Sequence, residues 1–551
     1  MSPLRRDVPP TSIHDPLPRT AVPRDRGKAT GPAKRASARP GGSRWVVVGL
    51  CLLFGLSTLS ASLVVTPAGT AASPVHVTGS RTALDFHASF PGRFFPSPQP
   101  SPYCNFGNGS VPFILLCYTP EDLKVAYDYP SYLNGAGQTI VIVDAFGYPR
   151  VQADLNTFDA EFGLPSTQVQ VVCQGGVCPV FNASDPDQIG WSEEISEDVQ
   201  TVHSLASGAH IVLFVATTDD DLTLEQAVLS AVEMFPHSII SQSWGDPELD
   251  MLQGTCFLDT DNPAGDCSAA YVQDVLATGE KAYRLAAAEG TTVFASAGDW
   301  GADNSGLCYA FPSPCGFTAA NPIYPSSSPW VTAVGGTEGN PYYNGTAPAN
   351  CGSSSVCSLG LVKFLNTPSC QLNDLTPTSP VACVPVGYGG EQVWNEPQYG
   401  LATGGAPSRI FGTPWYQSGL GLTARSTPDV SADAAASGGG YNYWSAVPSE
   451  AGWMDSVGTS FGSPIWSTIA ALADQFAAEF HHGPIGFINP ALYEIGENPW
   501  LSAAAFHDVT VGNNTVAGST VGFSAGPGWD DATGWGTPNV ANLIPLLVWL
   551  S

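Results

Sequence analysis

Gln138-Thr139-Ile140-Val141-Ile142-Val143-Asp144 is the stretch whose reading decides the fold. Four consecutive β-branched aliphatics leave no polar face, so the segment reads as a strand covered on both sides and closed by a carboxylate. Outward from it, amphipathic and apolar segments alternate. Residues 151–162 read as a helix, 169–172 as a strand, 193–207 as a helix and 210–216 as a strand. A helix over 223–235, a strand over 238–242, a helix over 272–289 and a strand over 291–297 follow. Short connections between such elements predict an α/β fold with a doubly wound, mostly parallel sheet and helices on both faces. Residues from about 302 to 450 are rich in Gly, Ser, Pro and Asn and read as loop-dominated insertions; the part after Ile485 also reads as irregular.

Charge is divided sharply along the 551 residues. Residues 1–44 hold ten Lys/Arg against three Asp/Glu, and the remainder holds nine against forty-five, within an overall net charge of −29. A body so poor in cations cannot neutralise a phosphate backbone, which excludes nucleic-acid partners. Its carboxylates repel one another at neutral pH, and acid removes that repulsion. The composition therefore suits an acidic medium.

The basic segment 1–44 is expected to be disordered. Residues 45–66 follow as an apolar run long enough to span a bilayer. Basic residues crowd its N-terminal side and none follows before Arg81, so the body is expected to be exported. Two readings stand side by side: a signal peptide cut near Thr70-Ala71-Ala72, or an uncleaved signal anchor tethering an extracellular body. Any membrane contact is expected through this segment alone. Residues 73–116 read as a linker or short pro-segment, and residues 117–551 as the main domain. Beyond Cys51, twelve cysteines fall into close neighbours: 104/117, 173/178, 256/267, 308/315, 351/357 and 370/383. Their even number, short loops and exported context favour disulfides, with sequential pairing the simplest connectivity.

Three segments carry candidate chemistry. Glu193-Glu194-Ile195-Ser196-Glu197-Asp198 places four carboxylates on a helix. Glu194 and Asp198 are one turn apart, and so are Glu193 and Glu197, so spacing leaves the register open. Like charges at this spacing destabilise a helix unless one carboxyl holds the other through a shared proton. Ala297-Gly298-Asp299-Trp300-Gly301 ends a buried strand with a carboxylate in a glycine turn, where working groups gather in doubly wound sheets. Val457-Gly458-Thr459-Ser460 is a tight turn leading into an apolar helix, the mounting of a nucleophilic serine.

Together these segments resemble the sedolisin family of serine-carboxyl peptidases, whose fold is subtilisin-like. The Glu-x-x-x-Asp helix motif matches Glu194 and Asp198, and the Gly-Asp-x-Gly turn matches Gly298 to Gly301. The Ser-Gly-Thr-Ser-x-x-x-Pro motif matches residues 457–464, with Val457 in place of its first serine. Ser241-Gln242-Ser243-Trp244-Gly245, Val334-Gly335-Gly336-Thr337 and Pro428 to Asp433 agree as well. The resemblance implies a serine endopeptidase acting on protein or peptide substrates in acid, through an acyl-enzyme intermediate. Ser460 would be the nucleophile, Glu194 the base, Asp198 its orienting partner and Asp299 the oxyanion donor.

The same resemblance implies a C-terminal calcium-binding segment. There Asp508 and Asp530 would supply carboxylates, and Val509, Gly526 and Gly528 backbone carbonyls to Ca2+. A monomer is expected. Many members carry a large folded pro-domain, where this chain has only residues 73–116 between the apolar run and the body. Two other readings remain. One is a subtilisin-type triad of Asp144, His203 and Ser460, although His203 lacks that family's His-Gly-Thr-His turn. The other is a catalytically silent extracellular binding protein, which would have no reason to retain all four site residues.

Overall fold

In the computed structural model, which describes residues 103–106, 113–253, 268–304, 319–339, 342–343, 385–436 and 438–551, the Ile140 stretch is the centre of the main sheet. It forms β1 (Thr139–Ala145). The other strands are β2 (Gln170–Cys173), β3 (His210–Ala216), β4 (Ile239–Gln242), β5 (Thr292–Ser296), β6 (Thr332–Glu338), β7 (Gln392–Val393) and β8 (Val430–Asp433). Their order is β7-β6-β5-β4-β1-β3-β2, with β8 pairing β6, and β7 alone runs antiparallel to its neighbour. The chain leaves β1 toward β2 and β3 on one side, then crosses to β4, β5 and β6 on the other. The end of the sheet beyond the strand C-termini at such a reversal is where doubly wound folds gather their working groups.

Both faces are covered, which explains the unbroken apolar run. Ile140 and Ile142 pack with Ile195, Val199 and Val202 of α2 (Pro186–Leu205) and with Ile465 and Ile469 of α5 (Thr459–Glu479). Val141 and Val143 pack on the opposite face with α3 (Asp221–Met234) and α4 (Ala269–Glu289). All four are fully buried, at about 1.5–3 kcal/mol each before chain entropy. α1 (Val151–Phe162) lies between β1 and β2 and ends at Gly163, whose left-handed φ of 66° terminates the helix.

The glycine-rich region contains more order than its composition suggests. Besides β6, β7 and β8, β9 (Gly439–Trp444) and β10 (Gly452–Asp455) form an antiparallel hairpin that delivers the chain to α5. Strand Phe113–Tyr118 pairs in parallel with β9 and antiparallel with Tyr103–Phe106, so strands occur within the stretch read as linker. After Ile485 the chain is helical over Asn489–Glu497, Pro499–Ala505 and α6 (Val540–Leu550), which corrects the expectation of irregular structure.

Cys173 and Cys178 are disulfide-bonded. The other five expected pairs, the basic segment and residues 45–66 lie outside the described side chains. Among the described residues, no helix is long and apolar enough to cross a membrane.

Candidate active site

Ser460 stands in the first turn of α5. Gly458 caps that helix with φ 109°, a conformation open to glycine. Its hydrogen also makes room: a Cβ built there would lie 2.5 Å from Asp299 Oδ2. The turn is therefore closed over Asp299, and any side chain at residue 458 would displace that carboxyl.

Thr459 fixes the carboxyl from the other side. Its backbone N–H donates to Asp299 Oδ1 at 2.7 Å, and its hydroxyl donates to the same oxygen at 2.9 Å. That hydroxyl in turn accepts from the Gly298 N–H at 3.0 Å, which closes a loop between the β5 turn and the head of α5. Asp299 is fully buried, and its backbone N–H, C=O turn is braced where Ala402 donates to its carbonyl at 2.9 Å. With Oδ1 held as an acceptor, Oδ2 is the oxygen on the Gly458 side, next to the turn that carries Ser460.

Asp198 reaches the same turn through Ser243, just beyond the C-terminus of β4. The Ser243 hydroxyl lies 3.0 and 3.1 Å from the two Asp198 carboxyl oxygens and 3.3 Å from the Ser460 carbonyl oxygen. Trp244 anchors this segment to the central strand by donating to the Val143 carbonyl at 2.8 Å. Glu194 lies one helical turn before Asp198 and is buried, as are Glu193, Glu197 and Asp198. Ser460 is buried too, and its Oγ has no hydrogen-bond partner among the described residues. No hydrogen bond joins Ser460 Oγ to Glu194.

Electrostatics tie the set together. Burial, then Glu194, Asp198, Asp299 and Asp455, push the Glu197 carboxyl well above the usual range, so all five share one field. Asp144, at the end of β1, is fully buried with no hydrogen-bond partner for either oxygen among the described residues. Burial pushes it up to about 8.

His203 belongs elsewhere. Its Nε2 is 2.7 Å from the Pro165 carbonyl oxygen and 3.2 Å from Asp159 Oδ1, so it ties α2 to α1 and its surroundings. The subtilisin-type triad is not assembled. The sequence assigns no role to the bridging Ser243 or the clamping Thr459. Both lie within segments that carry the family resemblance, Ser241 to Gly245 and Val457 to Ser460, but the motif alone does not say which side chain bridges or clamps.

In the C-terminal segment, Gly528 N–H donates to Asp508 at 3.0 Å and Gly526 N–H to Asp530 at 2.8 Å. One loop thus gathers both carboxylates with the three carbonyl-bearing residues. Burial pushes both carboxyls up, and neither has a Lys, Arg or His partner among the described residues. No cluster of three or more His, Cys, Asp or Glu suited to a metal occurs among the described residues. The donor set is two carboxylates plus backbone oxygens, which fits a hard, oxygen-seeking cation in kind.

No family model matches the chain. Kumamolisin from Bacillus sp. (strain MN-32) is 30% identical over 446 residues, covering 78% of this chain and 64% of kumamolisin. Sedolisin from Pseudomonas sp. (strain 101) is 28% identical over 446 residues, covering 77% of this chain and 60% of that protein. Tripeptidyl-peptidase 1 from Rattus norvegicus is 28% identical over 477 residues, 83% of this chain and 69% of that one. The chain thus spans less than two thirds of the lengths of kumamolisin and sedolisin. The solved structure of Pseudomonas sedolisin, a serine-carboxyl proteinase complexed with two molecules of pseudo-iodotyrostatin, matches with a TM-score of 0.57 at 26% identity. It covers 78% of this chain and 98% of that one. Similarity to kumamolisin and sedolisin over more than three quarters of the chain, with the match to the solved sedolisin structure, identifies the chain as a homologue of the sedolisin family with its subtilisin-like α/β fold.

Proposed function

We propose that this protein is an acid-acting serine-carboxyl endopeptidase that hydrolyses protein or peptide substrates through an acyl-enzyme. The observation that carries the reading is the double attachment of the Gly458–Ser460 turn. Asp299 is clamped beneath it by Thr459, and Asp198 reaches it through Ser243. Ser460 Oγ attacks the scissile carbonyl carbon while its proton passes to the Glu194 carboxylate. Asp198 orients Glu194 and stabilises it once protonated. The carbonyl oxygen becomes an oxyanion and takes a hydrogen bond from protonated Asp299. Glu194 returns its proton to the leaving amine, and water reverses the sequence to release the acid.

A carboxylic acid donates only while protonated, and a glutamate base with a reference pKa of about 4.3 works best in acid. Activity on an unfolded protein is therefore expected at about pH 4 and to be at least about tenfold weaker at about pH 7. Digestion assays at both values, with Ser460→Ala alongside, check this. Equal cleavage by the wild type and Ser460→Ala, or none at either pH, would sink the enzyme reading and favour a silent binding protein.

The exported body carries calcium at Asp508, Val509, Gly526, Gly528 and Asp530. There the ion would neutralise two carboxylates and pin the C-terminal loop beside β8. A chelator should lower the melting temperature by several degrees and added Ca2+ should restore it. An unchanged melting curve would remove the ion from this reading.

A further inference from the structure

One carboxyl of the cluster has no part in that sequence of steps. Glu197 is fully buried, three residues after Glu194 and next to Asp198 on α2. Its side of the helix is defined by Gln200, three residues further on. Gln200 exchanges two hydrogen bonds with the Tyr443 backbone, both 2.7 Å. This side of α2 therefore rests on β9, and β9 pairs with β10, where Tyr441 stands opposite Asp455. Asp455 is the last residue of β10, and the turn that presents Ser460 begins three residues later.

The strongest neighbours acting on Glu197 are all carboxyls: Glu194 and Asp198 on its own helix, Asp299 from the β5 turn and Asp455 from β10. A buried side chain among four acids can be accommodated neutral, as a hydrogen-bond donor, far more readily than as a fifth anion.

Building on the proposed mechanism, we propose that Glu197 is a positioning residue. As a protonated carboxyl between α2 and the hairpin that feeds the Ser460 turn, it keeps Glu194 and Asp198 in register with the nucleophile. Loss of its proton to solvent adds a charge to an all-acid cluster and opens that contact. Glu197 acts through the arrangement of the pair and touches no substrate. Its loss of a proton would thus add to the decline of activity toward neutral pH that protonated Asp299 already imposes.

The test is a pH profile of kcat and KM on a peptide substrate for the wild type, Glu197→Gln and Glu197→Met. Glutamine keeps the donor and cannot ionise. Its kcat is expected to hold out at least about one pH unit further toward neutral, with KM little changed. Methionine fills the space without donating, and its kcat at about pH 4 should fall about tenfold or more. A Glu197→Gln profile superimposable on the wild type overturns the proposal, as does a Glu197→Met enzyme with wild-type kcat.

Melting in the Ser460→Ala background provides a readout independent of turnover. The fall in melting temperature between about pH 4 and pH 7 should be smaller in Glu197→Gln. An equal fall counts against Glu197, whereas an inactive wild type counts against the catalytic reading.

Discussion

Glu194→Gln is expected to lower kcat/KM on a peptide substrate at about pH 4 by roughly 1000-fold or more, while Glu193→Gln stays within about threefold of wild type. An amide of the same shape keeps the packing of α2 but cannot accept the serine proton, and general-base assistance is typically worth about 100- to 10,000-fold. Ser460→Ala removes the nucleophile itself and should leave at most a comparable residue of activity. The choice between adjacent glutamates rests on Asp198, the carboxylate tied through Ser243 to the Ser460 peptide. Glu194 lies one turn before Asp198, whereas Glu193 is paired by spacing with Glu197. Steady-state kinetics on the two single variants decide the matter. A large loss in Glu193→Gln with a small one in Glu194→Gln would move the base by one residue.

Much of this architecture is legible in the sequence because its central strands are written in β-branched residues. β1 and the helix Val151–Phe162 follow directly from hydrophobic periodicity. β6 does not, because Thr332-Ala-Val-Gly-Gly-Thr-Glu338 has glycines where a strand usually carries side chains. The structure supplies the reason. A Cβ at Gly335 would lie 2.7 Å from Pro428, and one at Gly336 would lie 2.7 Å from Ala434. Here close backbone approach outranks strand propensity. The C-terminal helices escape notice for a different reason. Prolines occupy an early position in two of them and interrupt α6 at Pro545, so the local pattern reads as broken.

At the site, motif order brings Glu194, Asp198, Asp299 and Ser460 into one list. It cannot reveal that Thr459 clamps Asp299 or that Ser243 joins two segments. Those contacts join residues from 45 to 217 positions apart, and no local pattern encodes them.

The folded protein itself should be an acid form: its melting temperature is expected to fall by roughly 3–10 °C between about pH 4.5 and pH 7.5. Burial pushes Asp144 up to about 8 and Asp474 to about 7, and Glu391 and Asp531 each to about 6. Glu225, Asp246 and Asp433 are driven well above the usual range, again chiefly by burial. In the unfolded chain these groups ionise near about pH 4, whereas in the folded protein they keep their protons longer. Each such group contributes stability that is fully present below about pH 4 and is lost as pH rises toward its folded value.

Each pH unit over which the two states differ by one proton is worth about 1.4 kcal/mol. Even a third of the nominal linkage from Asp144 and Asp474 is about 3 kcal/mol, or about 3 °C for a body of this size. His507 opposes this trend, because burial pushes its imidazole down to about 4 and acid below about pH 6.5 costs stability there. The raised carboxyls outnumber this one imidazole, and by about pH 6.5 Glu391 and Asp531 no longer differ between the folded and unfolded states, so the fall should be steepest between about pH 5 and 6. Calorimetry on Ser460→Ala, which cannot digest itself, measures the trend. Asp144→Asn and Asp474→Asn should each flatten it, since an amide never ionises and Asp474 accepts a hydrogen bond from the Ile485 N–H that the asparagine oxygen can retain. A melting temperature that climbs from pH 4.5 to 7.5 would show that the buried acids are ionised in the folded state. The acid preference would then rest on the catalytic groups alone.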